Sequence, residues 1–194
     1  MSPPHPLQCA VFIATSLDGF IARPDGAIDW LPCPEGLESD DHGFQAFFDS
    51  VDALVMGRNT FETVLGFGGE WHYGAKPVVV LTHRPLELPA WVPGTVTVSS
   101  ESPAELAERL ATGGARRLYV DGGITIQRFL AAGLIDELII TRVPVLLGEG
   151  IPLFGPIGGD LRLEHLATLS WKNGLVQSRY RVLPREPAGN AAPA

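Results

Sequence analysis

Three short stretches of this 194-residue chain place anion-binding groups where an apolar run gives way to polar residues. In Val55-Met56-Gly57-Arg58-Asn59-Thr60-Phe61-Glu62 a buried-strand pattern passes through glycine into the start of a helix pattern. A helix start offers free amide groups and the positive end of its dipole to an anion. Gly57 allows close backbone approach, Thr60 adds a hydroxyl, and Arg58 adds a planar fork of donors. Tyr119-Val120-Asp121-Gly122-Gly123-Ile124-Thr125 repeats the arrangement, and Val80-Leu81-Thr82-His83-Arg84-Pro85 ends a third strand pattern in a hydroxyl, an imidazole and a guanidinium. Together they suit one elongated ligand with several phosphates. Singly, each also reads as a plain turn or polar loop. Gly122-Gly123 is not the Gly-x-Gly-x-x-Gly dinucleotide fingerprint, which needs a third glycine where Ile126 or Gln127 stands.

Other chemistries lack their residues. There is no Gly-x-Ser-x-Gly elbow and no His-Glu-x-x-His helix, and His5, His42, His72, His83 and His165 are scattered. A hydrolase and a metal enzyme are therefore the weakest readings. The net charge of −8 argues against nucleic acid or an anionic membrane as partner. Cys9 and Cys33 form neither a zinc clip nor a Cys-x-x-Cys pair, and no apolar run reaches the length of a membrane span, so the expectation is a cytoplasmic protein.

The elements that must hold these groups are legible. Val- and Ile-rich runs at Cys9–Ala14, Ala53–Met56, Val78–Leu81, Val96–Val98, Leu118–Val120 and Leu138–Val143 read as strands buried on both faces. Alternation in Leu175–Val182 predicts a half-exposed antiparallel strand, paired with Leu161–Leu169 across a turn at Asn173-Gly174. Ser102-Pro103-Ala104-Glu105 carries an N-cap, a proline at the first helical position and a capping-box glutamate, opening a helix that runs to Gly113. Further helices are expected at Ser39–Ser50, Thr60–Leu65 and Ile124–Ala132. These predict one α/β domain over residues 7–184, with a mostly parallel sheet, antiparallel edge strands, and tails at 1–6 and 185–194.

The order of these clusters resembles the dihydrofolate reductase-like superfamily, and within it the reductase half of the riboflavin-biosynthesis deaminase-reductase. The resemblance runs through Ala14–Ala22, Ile28–Leu31, Met56–Glu62, Lys76–Thr82, Asp121-Gly122-Gly123, Gln127–Leu130 and Asp136–Thr141, nearly the whole domain. It implies a three-layer fold with about eight strands and NADPH across the carboxyl ends of the central ones. Gly57, Arg58 and Thr60, with Leu81, Thr82, His83 and Arg84, would then hold the adenosine-phosphate side. Gly122, Gly123 and Thr125 would cradle the pyrophosphate, and Ala14, Phe20 and Ile21 would line the nicotinamide side. On the substrate side the resemblance points to Asp41, or to Asp40 if one gap intervenes, as the carboxylate for a heterocycle, with Trp30 near a mobile loop and Thr141 supporting the carboxylate. Acidic residues at a helix start also follow from the helix dipole alone.

Departures bear on the substrate. Cys33-Pro34-Glu35-Gly36 occupies the loop after Trp30, and Gln45 stands where an aromatic packing residue is expected, so folate is disfavoured. No His-x-Glu with Pro-Cys-x-x-Cys deaminase signature is present. Glu70–Tyr73 and Gly148–Gly150 are candidate substrate-facing turns. The expectation is an NADPH-dependent reductase of a pteridine or aminopyrimidine, against a nucleotide-binding module without catalysis. The antiparallel edge and Val143–Leu147 suggest a homodimer.

Overall fold

The computed structural model describes residues 7–31 and 41–185. In chain order its elements are β1 (Gln8–Ser16), β2 (Phe20–Ala22), α1 (Phe44–Asp49), β3 (Ala53–Gly57), α2 (Arg58–Gly66), β4 (Val78–Leu81), β5 (Val96–Ser99), α3 (Pro103–Thr112), β6 (Arg117–Asp121), α4 (Gly123–Ala131), β7 (Ile135–Val143), β8 (Ile151–Pro152), β9 (Leu163–Ser170) and β10 (Val176–Val182). Eight strands form one sheet in the order β5-β4-β3-β6-β1-β7-β10-β9, and β2 and β8 form a separate ribbon. Strands β5 to β7 in that order are mutually parallel, while β10 runs antiparallel to both β7 and β9. This is the mostly parallel α/β sheet with antiparallel edge strands that the runs and breaks of the sequence predict, in the dihydrofolate reductase-like form that the resemblance implies.

Strand alternation sends neighbouring side chains to opposite faces. Cys9, Val11, Val55, Val79, Leu118, Val120 and Leu138 pack with Leu106 of α3 and Ile126 and Phe129 of α4. Ala10, Leu54, Met56, Val78, Val80, Tyr119 and Ile139 pack with Phe47 of α1 and Phe61 and Val64 of α2. Apolar on both faces, the central strands read as continuous hydrophobic runs. Among the described residues no helix follows β7, so the hairpin β9–β10 lies beyond the helical layers, and every residue of β9 is exposed.

The capping box of α3 is present: the Ser102 side chain accepts from the Glu105 amide, and Glu105 accepts from the Ser102 amide at 2.8 Å. Two expectations change. Helix α1 begins at Phe44, because His42 (φ 53°) and Gly43 (φ 83°) adopt left-handed conformations that cannot continue a helix from residue 41. Helix α2 begins at Arg58, immediately after β3 ends. Residues 39 and 40, and the ends read as tails apart from Arg185, lie outside the described residues.

Candidate functional site

Because β1, β3, β4 and β6 are parallel, their carboxyl ends open at one edge of the sheet. The chain reverses its lateral progress where β6 inserts between β3 and β1, the switch point outside whose strand ends ligands bind in open α/β sheets. The two strand-to-helix junctions meet there. Met56 pairs with Asp121 in register, so Gly57 and Gly122 leave the sheet side by side.

Thr60 and Thr125 interlock these junctions. A Cβ at Gly122 would lie 2.2 Å from Thr60 Oγ1, and one at Gly57 would lie 3.0 Å from Thr125 Oγ1. Gly122 also has φ 87° and ψ 135°, a conformation essentially reserved for glycine. A Cβ at Gly123 would come 2.9 Å from Ile21 Cδ1. Gly57, Thr60, Gly122, Gly123, Thr125 and Ile21 therefore share one tightly built cradle.

The register extends the site sideways from Gly57 to Leu81 and from Leu81 to Ser99. Arg58 Nε donates to Glu62 Oε1 at 2.6 Å, and Arg58 Nη1 donates to the Pro85 carbonyl at 3.2 Å, tying α2 to the loop after β4. In that loop the Thr82 hydroxyl accepts from the Arg84 amide at 3.1 Å, and His83 and Arg84 are exposed. Ser99 was not among the sequence candidates. It donates to Glu101, whose carboxyl is drawn down to about 2, first by Arg109 and then by Ser99.

Toward the other side, Ala14 of β1 pairs with Thr141 of β7. The Thr141 hydroxyl accepts from Gln177 Nε2 at 2.9 Å, and the same nitrogen donates to the His42 carbonyl at 3.1 Å, joining the approach to α1 with the sheet. The Trp30 indole N–H is buried without a hydrogen-bond partner among the described residues. Phe20 follows a fastened turn: Ser16 Oγ accepts from the Phe20 amide at 2.9 Å and donates to Asp18. Asp18 in turn accepts from the amides of Leu147 and Gly148. These bonds hold its carboxyl below the usual range, the Ser16 hydroxyl first.

Several candidates have other work in the structure. Both Asp41 oxygens accept from backbone amides, Gly43 at 2.9 Å and Gln45 at 2.5 Å, and the residue is exposed. The helix-start reading describes its position. Asp40 lies outside the described residues. Gly150 packs against Ala22 and Phe20, with no room for a Cβ, and Gly148 belongs to the Asp18 clasp. Trp71 is buried between Phe61 and Tyr73.

Asp121 stands beside these residues and was not among the sequence candidates. Withdrawal from water pushes its carboxyl up to about 6, opposed only by the Gly122 amide, and it raises the phenols of Tyr73 and Tyr119 in addition to their own burial. Alternation puts Asp121, Ala14 and Thr141 on the same face of adjacent β6, β1 and β7, with Ala14 leaving space between the polar groups. The signal was a carboxylate ending a buried strand directly before Gly-Gly.

Residues 9–177 match the RibD C-terminal domain family, so the chain belongs to that family, within the dihydrofolate reductase-like superfamily. YwjB of Bacillus subtilis (strain 168), an uncharacterised protein, is 36% identical over 158 residues, spanning 81% of this chain and 88% of YwjB. A crystal structure of a Shewanella sp. PV-4 protein named for riboflavin biosynthesis superposes with a TM-score of 0.84 at 41% identity, covering 92% of this chain and all of that one. Acinetobacter baumannii RibD shares the fold at 18% identity and a TM-score of 0.71, with 93% of this chain covering 59% of that chain.

Proposed function

We propose that this protein is an NADPH-dependent reductase of a pteridine- or aminopyrimidine-type substrate, within or akin to riboflavin biosynthesis. The observation that carries the reading is that one edge of the sheet brings the interlocked glycine junctions, and the loop after β4 that Arg58 holds through the Pro85 carbonyl, beside the Asp121, Ala14 and Thr141 face. The residues suit a dinucleotide phosphate. Gly122 and Gly123 clear a backbone cradle that a Cβ would fill. Arg58 with Thr82, His83 and Arg84 would take the adenosine phosphate, and Ala14, Phe20 and Ile21 would face the nicotinamide. The cofactor, when bound, supplies the hydride.

Reduction of a C=N or C=O bond also needs a proton on the heteroatom. Asp121 suits that transfer, because its carboxyl holds or releases a proton near pH 6. Thr141, oriented by Gln177, would bind the heterocycle edge, and the Trp30 N–H is free to hold a substrate atom or water. Asp41 would act indirectly by fixing the start of α1. Its occupied carboxylate also favours a second reading, a nucleotide-binding module without turnover.

The test is oxidation of NADPH with dihydropterin, dihydrofolate and ribosylaminopyrimidine phosphate from about pH 5 to pH 8. Turnover of one of them should fall as pH rises through about 6, and Asp121→Asn should lower it roughly 10²-fold or more. Tight NADPH binding with no turnover of any substrate would favour the second reading.

A further inference from the structure

On the face of the sheet that carries Asp121, a second cavity opens on the far side of α1. Its volume is about 350 Å³, large enough for a small organic molecule. Gly43, Ala46, Phe47 and Ser50 line it from one side of α1, at helical spacing, while Phe48 turns away toward Tyr73 and Lys76. Phe12, Ile139 and Leu169 supply an apolar floor and rim. Among the described residues no helix covers β10 and β9 on this side, and α1 reaches only as far as Ile139 of β7.

The polar groups are unevenly charged. Glu137 of β7 is 4% exposed and is gripped by Arg117 Nη2 on one oxygen and Arg179 Nε on the other. Arg117 also donates to Ser50 Oγ at 3.0 Å and lies over the Phe47 ring, with its centre 5.5 Å from the ring centroid. Its Nε is buried with no hydrogen-bond acceptor among the described residues. Arg179 is half exposed and lines the cavity, and among the described residues its two terminal nitrogens make no hydrogen bond. Two guanidinium groups thus share one carboxylate beside an aromatic wall.

We propose that this cleft is a second ligand site, for a small planar carboxylate of aryl or heteroaryl type. The unused end of the Arg179 fork matches the two oxygens of a carboxylate, whose charge balances the surplus guanidinium. Phe12 and Phe47 would take the ring. The ligand would sit against Gly43 and Phe47, so it would brace α1, whose start is fastened by Asp41 and joined to Thr141 through Gln177.

The probe pair is 2-naphthoate and 2-naphthamide, equal in shape and different in charge, titrated into the full chain with and without saturating NADPH. The naphthoate should bind about tenfold tighter than the amide, as a charge-assisted hydrogen bond to an accessible guanidinium implies. Arg179→Gln should erase the difference, and Leu169→Glu, which adds a like charge at an exposed rim position, should abolish naphthoate binding. NADPH should leave it unchanged. Equal affinity for the two probes, no binding of either, unaltered selectivity in Arg179→Gln, or displacement by NADPH or by self-association would each overturn the proposal.

Discussion

Asp121 ends a strand whose three central residues are buried, and the fold keeps a carboxyl there despite the penalty of desolvation. Its folded value of about 6 lies above the ordinary 3.8, so the native state retains a proton that the unfolded chain has already released between those limits. That contribution to stability is complete below the lower value and is lost as pH rises through the upper one. Asp121→Asn should therefore be the more stable protein above pH 6, by on the order of 2 kcal/mol, and should show a flatter stability profile between about pH 4 and pH 6. Urea unfolding across that range checks it. Gly122 makes a complementary prediction. Gly122→Ala introduces a Cβ 2.2 Å from Thr60 Oγ1 at a backbone angle of φ 87°, and it should lose roughly 2 kcal/mol or more through strain and displacement. Thr60→Ala in the same chain should recover part of that loss, because it removes the collision and leaves the backbone strain, a coupling that a double-mutant cycle reads directly.

At the scale of elements, the capping of α3 was plain from four consecutive residues, and Ser102→Ala should cost about 1 kcal/mol in thermal or urea unfolding. Helix α1 is different. Acidic residues and apolar spacing suggested a start near 39, yet the left-handed His42 and Gly43 postpone it, and Asp41 reaches forward to the Gly43 and Gln45 amides. Asp41→Ala should lose about 1 kcal/mol, and Asp41→Asn, which keeps one acceptor oxygen but turns an amide group toward the second backbone N–H, should lose part of that. Turnover that collapsed in the Asn variant while the protein stayed folded would restore the carboxylate to the chemistry. The central strands were legible because burial on both faces writes itself as unbroken Val and Ile runs. Strands β2 and β8, of three and two residues, carry no period and exist through pairing with each other. The cofactor-side residues could be named from strand ends and glycines, but the contact of Thr60 with Gly122 spans separate junctions, and only β3–β6 pairing creates it.

For the whole molecule, the hairpin β9–β10, which no helix covers among the described residues, is the main asymmetry. On the face turned toward α3 and α4, Leu17, Phe154 and Leu163 line a groove, and Leu146, next to the Val145 that bonds Leu17, is 68% exposed. An apolar patch beside an unpaired edge strand suits a second copy of this chain. Light scattering at micromolar concentration should give twice the chain mass, and Phe154→Lys should halve it; a monomeric parent would contradict this arrangement. No helix among the described residues is long and apolar enough to cross a membrane. The parallel strand ends remain the organising feature, since the proposed cofactor residues lie on them or on the loops, helix starts and short strand β2 that follow them. The most direct test is titration of the purified protein with NADPH and NADH, followed by cofactor fluorescence, beside an Arg58→Ala variant. NADPH should bind at micromolar concentration, and the variant should weaken it about tenfold or more while changing NADH binding little. Failure of the parent protein to bind either cofactor would contradict the account.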